Sequence, residues 1–216
     1  METRAVYLDV AATSRIRSSR QVDAPETPDY HRFMLSHLVP GILLLCGPIR
    51  VGKTTLCQRW LCAARKAGWR VGGILAPARW DDGSKKNGIN VIDLETGERH
   101  QLATIVHQRS AATVGEYCFC QSSTRWALDG LLRALRSPLD LVIIDEIGRL
   151  ELEHGGGYAP ALDAIANAQC KRVLIIVRDS LADALAERLA PLPCRRIDVS
   201  PAVRDVLAES GIEILR

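Results

Sequence analysis

The chain has 216 residues, of which 47% are hydrophobic and 25% are charged, and its formal net charge at pH 7 is +3. This size and composition fit one domain with a sizeable core, with room for a tail. The positive charge is weak and scattered, so it gives no strong signal for nucleic-acid binding. No apolar run approaches the roughly 20 residues that a membrane-spanning helix needs. We therefore expect a globular protein without a membrane span.

The N-terminal residues 1–38 differ in composition from the rest of the chain. They contain the segments SRIRSSRQ and DAPETPDY, which are rich in serine, arginine, aspartate and proline and show little periodicity. Such composition is typical of segments that cannot bury a core. We predict an extension at 1–38 that is either poorly ordered or a docking arm for a protein partner, followed by one domain at 39–216.

The cysteines and the first ten residues indicate the cellular compartment of the protein. The seven cysteines include no CxxC pair and no cluster with histidine, and Cys118 and Cys120 lack the second pair that a zinc site needs. The start METRAVYLDV has scattered charges and no apolar segment of a signal peptide. Free thiols are typical of a reducing compartment, so we predict a cytoplasmic location.

From residue 40 onward, strand and helix patterns alternate. Strands are predicted at 41–46, 70–75, 90–94, 100–106, 113–120, 139–144, 172–177 and 195–199. Helices are predicted at 53–67, 123–136, 161–168 and 180–189, with a short one at the C-terminus. This alternation indicates an α/β fold of three layers with a mostly parallel central sheet. A turn at Thr96 and Gly97 predicts a small antiparallel hairpin from its two flanking strands.

The segment GPIRVGKTT follows the first apolar strand and opens the first helix. It matches the pattern G-x-x-x-x-G-K-T, in which glycines let backbone N–H groups turn toward a phosphate and the helix N-terminus adds positive potential. Lys53 is placed to reach the β- and γ-phosphates, Thr54 to bind Mg²⁺, and Thr55 to contact the α-phosphate. The predicted nucleotide-binding residues are Gly47, Pro48, Ile49, Arg50, Val51, Gly52, Lys53, Thr54 and Thr55.

A second apolar strand ends in acidic residues, within the segment LVIIDEIGRLEL. Asp145 at its end is the expected carboxylate that holds Mg²⁺ through water. Glu146 follows directly, where it suits a general base or a residue that orients the attacking water. The roles of Glu151 and Glu153 are ambiguous. Both side chains could be solvated, but Glu151 could instead reach back to the site.

Taken together, several segments resemble the thermostable-type nucleoside-triphosphatase family, the P-loop NTPases related to the cancer-related nucleoside-triphosphatase. They are GPIRVGKTTL, GGILAPAR, the stretch GINVIDLETGE, VGEY and IIDEIGRLEL. The resemblance covers about residues 41–208 and implies a P-loop NTPase fold. It also implies Mg²⁺-dependent hydrolysis of nucleoside triphosphates such as ATP and GTP to the diphosphate, with loose base preference.

The same resemblance implies roles for individual residues. Lys53 and Thr54 would bind phosphate and metal, Asp145 would support Mg²⁺, and Glu146 would act on the water. Arg79 and Arg178 match recurring arginines of the family, and Arg149 replaces the lysine common after DEIG, a change that keeps the charge. Any of the three could neutralise charge on the leaving phosphates, or form only a surface ion pair. We count Glu146, Lys53, Arg149 and Arg178 as candidate catalytic residues and Arg79 as a candidate nucleotide-binding residue.

Two other functions share the same phosphate-binding residues. A P-loop kinase of a nucleoside or small metabolite would need an acceptor pocket and a lid that excludes water. A nucleotide-gated accessory protein would use hydrolysis to act through a partner. A glutamate beside the metal favours attack by water, so hydrolysis is the leading prediction.

Overall fold

The computed structural model describes residues 40–106, 113–114 and 116–215. The predicted N-terminal extension at 1–38 lies outside these residues. Among the described helices, none is long and apolar enough to cross a membrane.

The described residues alternate between strands and helices, as the sequence predicts. The strands are β1 Gly41–Cys46, β2 Val71–Leu75, β3 Ala78–Trp80, β4 Lys86–Asp93, β5 Arg99–Ile105, β6 Thr113–Val114, β7 Tyr117–Phe119, β8 Leu141–Ile147, β9 Arg172–Val177 and β10 Cys194–Asp198. The α-helices are α1 Lys53–Lys66, α2 Gln121–Leu135, α3 Arg149–His154, α4 Ala159–Ala164, α5 Ala182–Leu189 and α6 Arg204–Glu209. Short 3₁₀ turns are formed by Ile165–Asn167, Asp179–Leu181 and Glu213–Leu215.

The strands form one sheet with the order β10-β1-β9-β8-β2-β4-β5-β7-β6, and β3 pairs with β4. The first five strands of this order are parallel to one another. The four innermost of them, β1, β9, β8 and β2, are almost wholly apolar, because helices cover both faces of the parallel part. The predicted three-layer α/β fold with a parallel sheet is confirmed.

Two apolar cores lie on the opposite faces of the sheet. Helix α1 covers one face, where Trp60 is fully buried and its Nε1 donates a hydrogen bond of 2.8 Å to the Leu207 carbonyl of α6. Helices α2, α4 and α5 cover the other face with residues such as Leu131 and Leu185. This packing fixes α1 and α6 beside each other on one face of the sheet.

The antiparallel part contains more strands than the sequence analysis predicts. The hairpin of β4 and β5 is present, but β4 begins at Lys86 and pairs also with β3 and β2. The single strand predicted at 113–120 is wrong, because β6 and β7 are two short strands that pair with each other. Residue Gly115, between them in the sequence, lies outside the described residues. A glycine in the interior of a strand weakens it, and this one falls within the predicted range 113–120.

Two predicted helices differ from the structure in their bounds. The helix expected at 161–168 begins earlier, at Ala159, and ends in the 3₁₀ turn Ile165–Asn167. The helix expected at 180–189 begins as the 3₁₀ turn Asp179–Leu181 before α5. Helix α3, which follows the acidic strand, was not predicted. Helix ends are set by local capping contacts, which hydrophobic periodicity does not report.

Candidate functional site

The candidate site lies at the carboxyl ends of the parallel strands, the usual place for a ligand in an open α/β sheet. The segment Gly47–Gly52 connects β1 to α1 and is called the phosphate loop here. Strands β8 and β9 end beside it, and the backbone N–H of Asp179, after β9, donates a hydrogen bond of 3.3 Å to the Gly47 carbonyl. The sheet therefore brings the loop and the acidic residues of β8 to one edge.

The phosphate loop is a tight turn of the backbone that packs closely against the segment after β10. A Cβ atom on Gly47 would lie 2.6 Å from the Val199 carbonyl oxygen, so a larger residue there would collide with the segment after β10. Arg50 has a left-handed φ of 67° although it is not glycine. The side chain of Val51 is buried in the core and anchors the loop, whereas Pro48 and Ile49 are exposed. The loop is thus fixed at its base and open at its mouth.

Lys53 lies across this loop. Its Nζ donates hydrogen bonds of 2.6 Å to the Gly47 carbonyl and 2.9 Å to the Pro48 carbonyl. Burial lowers the pKa of the Lys53 amine, while Glu146 and Asp145 act in the opposite direction by their negative charge. The ammonium group is therefore held by two carbonyl oxygens at the mouth of the loop, where the oxygens of a phosphate could replace them.

Asp145 is the fully buried carboxylate opposite the loop. Its Oδ2 accepts hydrogen bonds of 3.1 Å from the Thr54 hydroxyl and 3.0 Å from the Ala76 backbone N–H. Its Oδ1 has no hydrogen-bond partner among the described residues. Burial, and then the charge of Glu146, raise the pKa of Asp145 to about 7, which the two hydrogen bonds partly oppose. A buried, unpartnered carboxylate oxygen indicates that this group is completed by a ligand.

Glu146 follows in an unusual backbone conformation. Its φ is 72°, a left-handed value that costs a non-glycine residue about 1–2 kcal/mol. The pairing of β8 with β9 shifts in register between Ile144 and Ile147, so Asp145 and Glu146 form a bulge at the strand end. As a result Asp145 is buried while Glu146 is exposed. The bulge gives two adjacent carboxylates separate environments.

Glu151 belongs to the support of the site and not to its surface. It is buried, and its two oxygens accept hydrogen bonds of 2.9 Å from the Gly148 N–H and 3.2 Å from the Tyr158 N–H. A Cβ atom on Gly157, whose φ is 55°, would lie 2.0 Å from Glu151 Oε1. The alternative that Glu151 is solvated is wrong, because its carboxylate is buried and fixes the segment after Glu146. Glu153, by contrast, is a surface residue.

The three candidate arginines lie in different surroundings. Arg178 is exposed directly after β9, and its positive charge acts on the Lys53 amine, so the fold brings it to the loop. Arg149 is exposed and pairs with Glu153 one helical turn away, at 3.5 Å between Nε and Oε1. Arg79 lies on β3, where it bonds to Asn87 and Gln101 of the antiparallel part. Of these three arginines, Arg178 is the one that lies near Lys53 and the phosphate loop.

Sequence reasoning missed two contributions to the site. Asp179 holds the Gly47 carbonyl and carries a negative charge that acts on Lys53. The segment after β10 closes on the loop through Val199, whose N–H also bonds to the Cys46 carbonyl at 2.8 Å. No motif marks either residue, because both contacts arise from strands that are neighbours only in the folded sheet.

A glycine-rich loop between the first parallel strand and its helix, faced by a buried carboxylate two strands away, defines a P-loop nucleotide-binding protein. Comparison with known sequences narrows the class. A family model described as NTPase matches residues 42–212, and the chain belongs to this NTPase family. It is therefore a hydrolase of nucleoside triphosphates, as predicted.

Relatives of known name agree with this membership. The nucleoside-triphosphatase THEP1 of Pyrococcus abyssi is 36% identical over 166 residues, which are 76% of this chain and 87% of the relative. The enzyme of the same name from Methanopyrus kandleri is 27% identical over 176 residues, which are 81% of this chain and 95% of the relative.

Two solved structures share the fold. The solution structure of a human cancer-related nucleoside triphosphatase has a TM-score of 0.65 at 22% identity, over 82% of this chain and 97% of that one. The crystal structure of THEP1 from Aquifex aeolicus has a TM-score of 0.58 at 24% identity, over 81% of this chain and 99% of that one.

Proposed function

We propose that this chain hydrolyses nucleoside triphosphates, ATP and GTP among them, to the diphosphate and inorganic phosphate with the aid of Mg²⁺. Membership of the NTPase family supports the reaction, and the geometry of the loop supports the roles of individual residues. The N–H groups of the phosphate loop would bind the β-phosphate, and Lys53 would exchange its two carbonyl partners for oxygens of the β- and γ-phosphates. Thr55, exposed at the start of α1, would contact the α-phosphate.

The residues opposite the loop fit a magnesium ion. The Thr54 hydroxyl and Asp145 Oδ1, which no described residue bonds, are oxygen ligands of the kind that Mg²⁺ prefers, the latter through water. When bound, the ion neutralises negative charge on the β- and γ-phosphates. The existing hydrogen bond between Thr54 and Asp145 keeps both oxygens on the same side of the loop.

The observation that carries the proposal is the difference in burial between Asp145 and Glu146. Only the second carboxylate is exposed, and its strained backbone holds it at the end of β8 next to the buried one. As the general base, Glu146 would accept a proton from the water molecule that attacks the γ-phosphate. Arg178 would stabilise charge on the phosphates as the bond to the leaving group breaks. Arg79 and Arg149, which bond elsewhere in this structure, would contribute less.

Membership of an NTPase family favours hydrolysis over the kinase alternative. A nucleotide-gated accessory protein would also hydrolyse the nucleotide, but it would use hydrolysis to act through a partner. A protein partner for residues 1–38 stays a prediction, because these residues lie outside the described part of the chain. The predicted cytoplasmic location is also a proposal, since it follows from the free thiols and not from the fold.

The test is phosphate release from ATP, GTP, CTP and UTP by the purified full-length chain, with no acceptor added. We expect one phosphate and one diphosphate per triphosphate consumed, and we expect EDTA to stop release and excess Mg²⁺ to restore it. Tight binding of nucleotide without release of phosphate, with or without Mg²⁺, would overturn the proposal.

A further inference from the structure

The structure assigns a nucleoside subsite to the segment after β10, with Arg204 as the residue that contacts the face of the base. The inference rests on the proposed function, because it concerns the nucleoside part of the same substrate. The ligand class is a purine or pyrimidine nucleoside whose phosphates occupy the loop. The segment Val199–Val206 is called the β10 flank below.

The direction of the bound triphosphate follows from the order of the strands. Thr54 bonds to Asp145 at the end of β8, so the terminal phosphates and their cation belong on that side of the loop. Strand β8 lies two places from β1 on one side, whereas β10 is the neighbour of β1 on the other. A chain of three phosphates that crosses the loop therefore brings its nucleoside end toward β10 and the β10 flank.

The β10 flank touches the phosphate loop at two points. The Val199 carbonyl lies against Gly47, as described above. The Cδ atom of Arg204 lies 3.2 Å, and its Nη1 3.9 Å, from the position that a Cβ atom would take on Gly52. The hydrogen bond between Trp60 of α1 and the Leu207 carbonyl holds α6, and with it Arg204, in this place. The Arg204 side chain therefore lies beside the last residue of the loop, continuous with the phosphate site.

The chemistry of the β10 flank suits the flat, apolar face of a base. Val203, directly before Arg204, is 40% exposed and is one of the four large apolar side chains exposed in the described part of the chain. Among the described residues, the Arg204 guanidinium is bound by its neighbour Asp205 alone, through an exposed contact of 3.2 Å that costs little to break. A guanidinium plane stacks on aromatic rings, and valine methyl groups pack against them.

Stacking of this kind does not read the hydrogen-bonding edge of a base, because every base has a π-face. The subsite therefore accepts all four nucleotides and favours purines over pyrimidines by their larger ring area. Because the nucleoside and the phosphates contact different residues, a change in the subsite should weaken a nucleotide and leave a ligand without a nucleoside unaffected.

The test compares the affinities of ATP and of inorganic tripolyphosphate, which has no nucleoside, in the wild-type chain and three variants. In Arg204→Ala we expect the Kd of ATP to rise about tenfold and that of tripolyphosphate to stay within about twofold. Arg204→Lys keeps the charge and loses the plane, so it should not restore ATP binding. Arg125→Ala, which removes an exposed arginine from α2, is the charge-matched control and should bind both ligands normally.

Each other outcome has a distinct meaning. Equal weakening of ATP and tripolyphosphate in Arg204→Ala, or rescue by Arg204→Lys, would show that Arg204 acts on phosphate and would overturn the subsite. An unchanged Kd of ATP in Arg204→Ala would also overturn it. A wild-type chain that binds both ligands but releases no phosphate from ATP would contradict the proposed function and leave the subsite standing. A wild-type chain that binds neither would overturn both.

Discussion

The Thr54 hydroxyl donates a hydrogen bond of 3.1 Å to Asp145 Oδ2, and the two residues are 91 positions apart in the chain. The bond joins the first turn of α1 to the end of β8 and uses one carboxylate oxygen, which leaves Oδ1 without a partner among the described residues. The site is therefore assembled on two elements that the sheet core fixes, and it is arranged before any nucleotide arrives. Preorganisation of this kind lowers the cost of binding.

Removal of the Lys53 amine should weaken nucleotide binding and leave the stability of the fold almost unchanged. In Lys53→Ala we expect the affinity for ATP to fall by about 100-fold or more, because a charge-assisted contact with the phosphates is lost. The loop stays anchored by Val51, so the melting temperature should change little. Equilibrium binding and thermal unfolding measure the two effects. The control is Lys66→Ala in the last turn of the same helix, and a Lys53→Ala chain with wild-type affinity would refute the role.

Replacement of Glu151 should cost stability, because two backbone N–H groups would lose their partner. An unsatisfied buried donor costs about 1–3 kcal/mol, so Glu151→Ala should lower the free energy of unfolding by about 2–4 kcal/mol. Glu153→Ala, two residues further along α3 and exposed, should change it by less than about 0.5 kcal/mol. Urea denaturation compares the two variants. Equal stabilities would show that the Glu151 contacts do not support the segment after Glu146.

The arginines near the site should differ in their importance. Arg178→Ala should lower kcat/KM for ATP by about 10-fold to 100-fold, since it removes positive charge from beside the loop. Arg149→Ala should stay within about threefold, because its guanidinium forms an exposed pair with Glu153. Steady-state phosphate release measures both. The reverse order of effects would mean that α3 moves toward the nucleotide when it binds.

Cys120 should be the most reactive thiol of the described residues at neutral pH. Hydrogen bonds from the Ser122 and Ser123 side chains lower its pKa to about 7, whereas burial raises the pKa of Cys46 to about 11. More of the Cys120 thiol is therefore ionised at pH 7.5 than in an ordinary cysteine, and the thiolate is the reactive form. Mass spectrometry after brief treatment with iodoacetamide should find Cys120 modified first, with a half-maximal rate near pH 7.

The serine contact supplies the control for this prediction. In Ser122→Ala the pKa of Cys120 should rise, so the midpoint of the rate profile should move to higher pH. A profile that does not move, or a faster reaction at the exposed Cys62, would contradict the assignment.

The sequence predicts the parallel part of the fold and the phosphate loop because these features depend on short patterns. A buried parallel strand is a continuous apolar run, and the loop has fixed glycine positions before a helix. The role of Glu151 is not predictable in this way. A glutamate in a charged segment looks solvated, and only the turn of the chain back to Tyr158 shows that its carboxylate is enclosed.

The antiparallel strands and the β10 flank are less predictable for a related reason. Strands of two or three residues, such as β6 and β7, carry too few positions for a period to emerge. Asp179 and Arg204 reach the loop because β9 and β10 flank β1 in the sheet, although they follow it by more than 120 residues. The order of the strands depends on the packing of the whole sheet, so a short sequence pattern does not predict it.

The central claim is that Glu146 acts on the attacking water while its neighbours bind the nucleotide. The direct measurement is a pair of assays on Glu146→Gln: the Kd of ATP with Mg²⁺, and the rate of phosphate release in a single turnover. The account predicts a Kd within about threefold of wild type and a rate that falls by about 100-fold or more, because the amide cannot accept the proton. Retention of most of the wild-type rate would contradict the account.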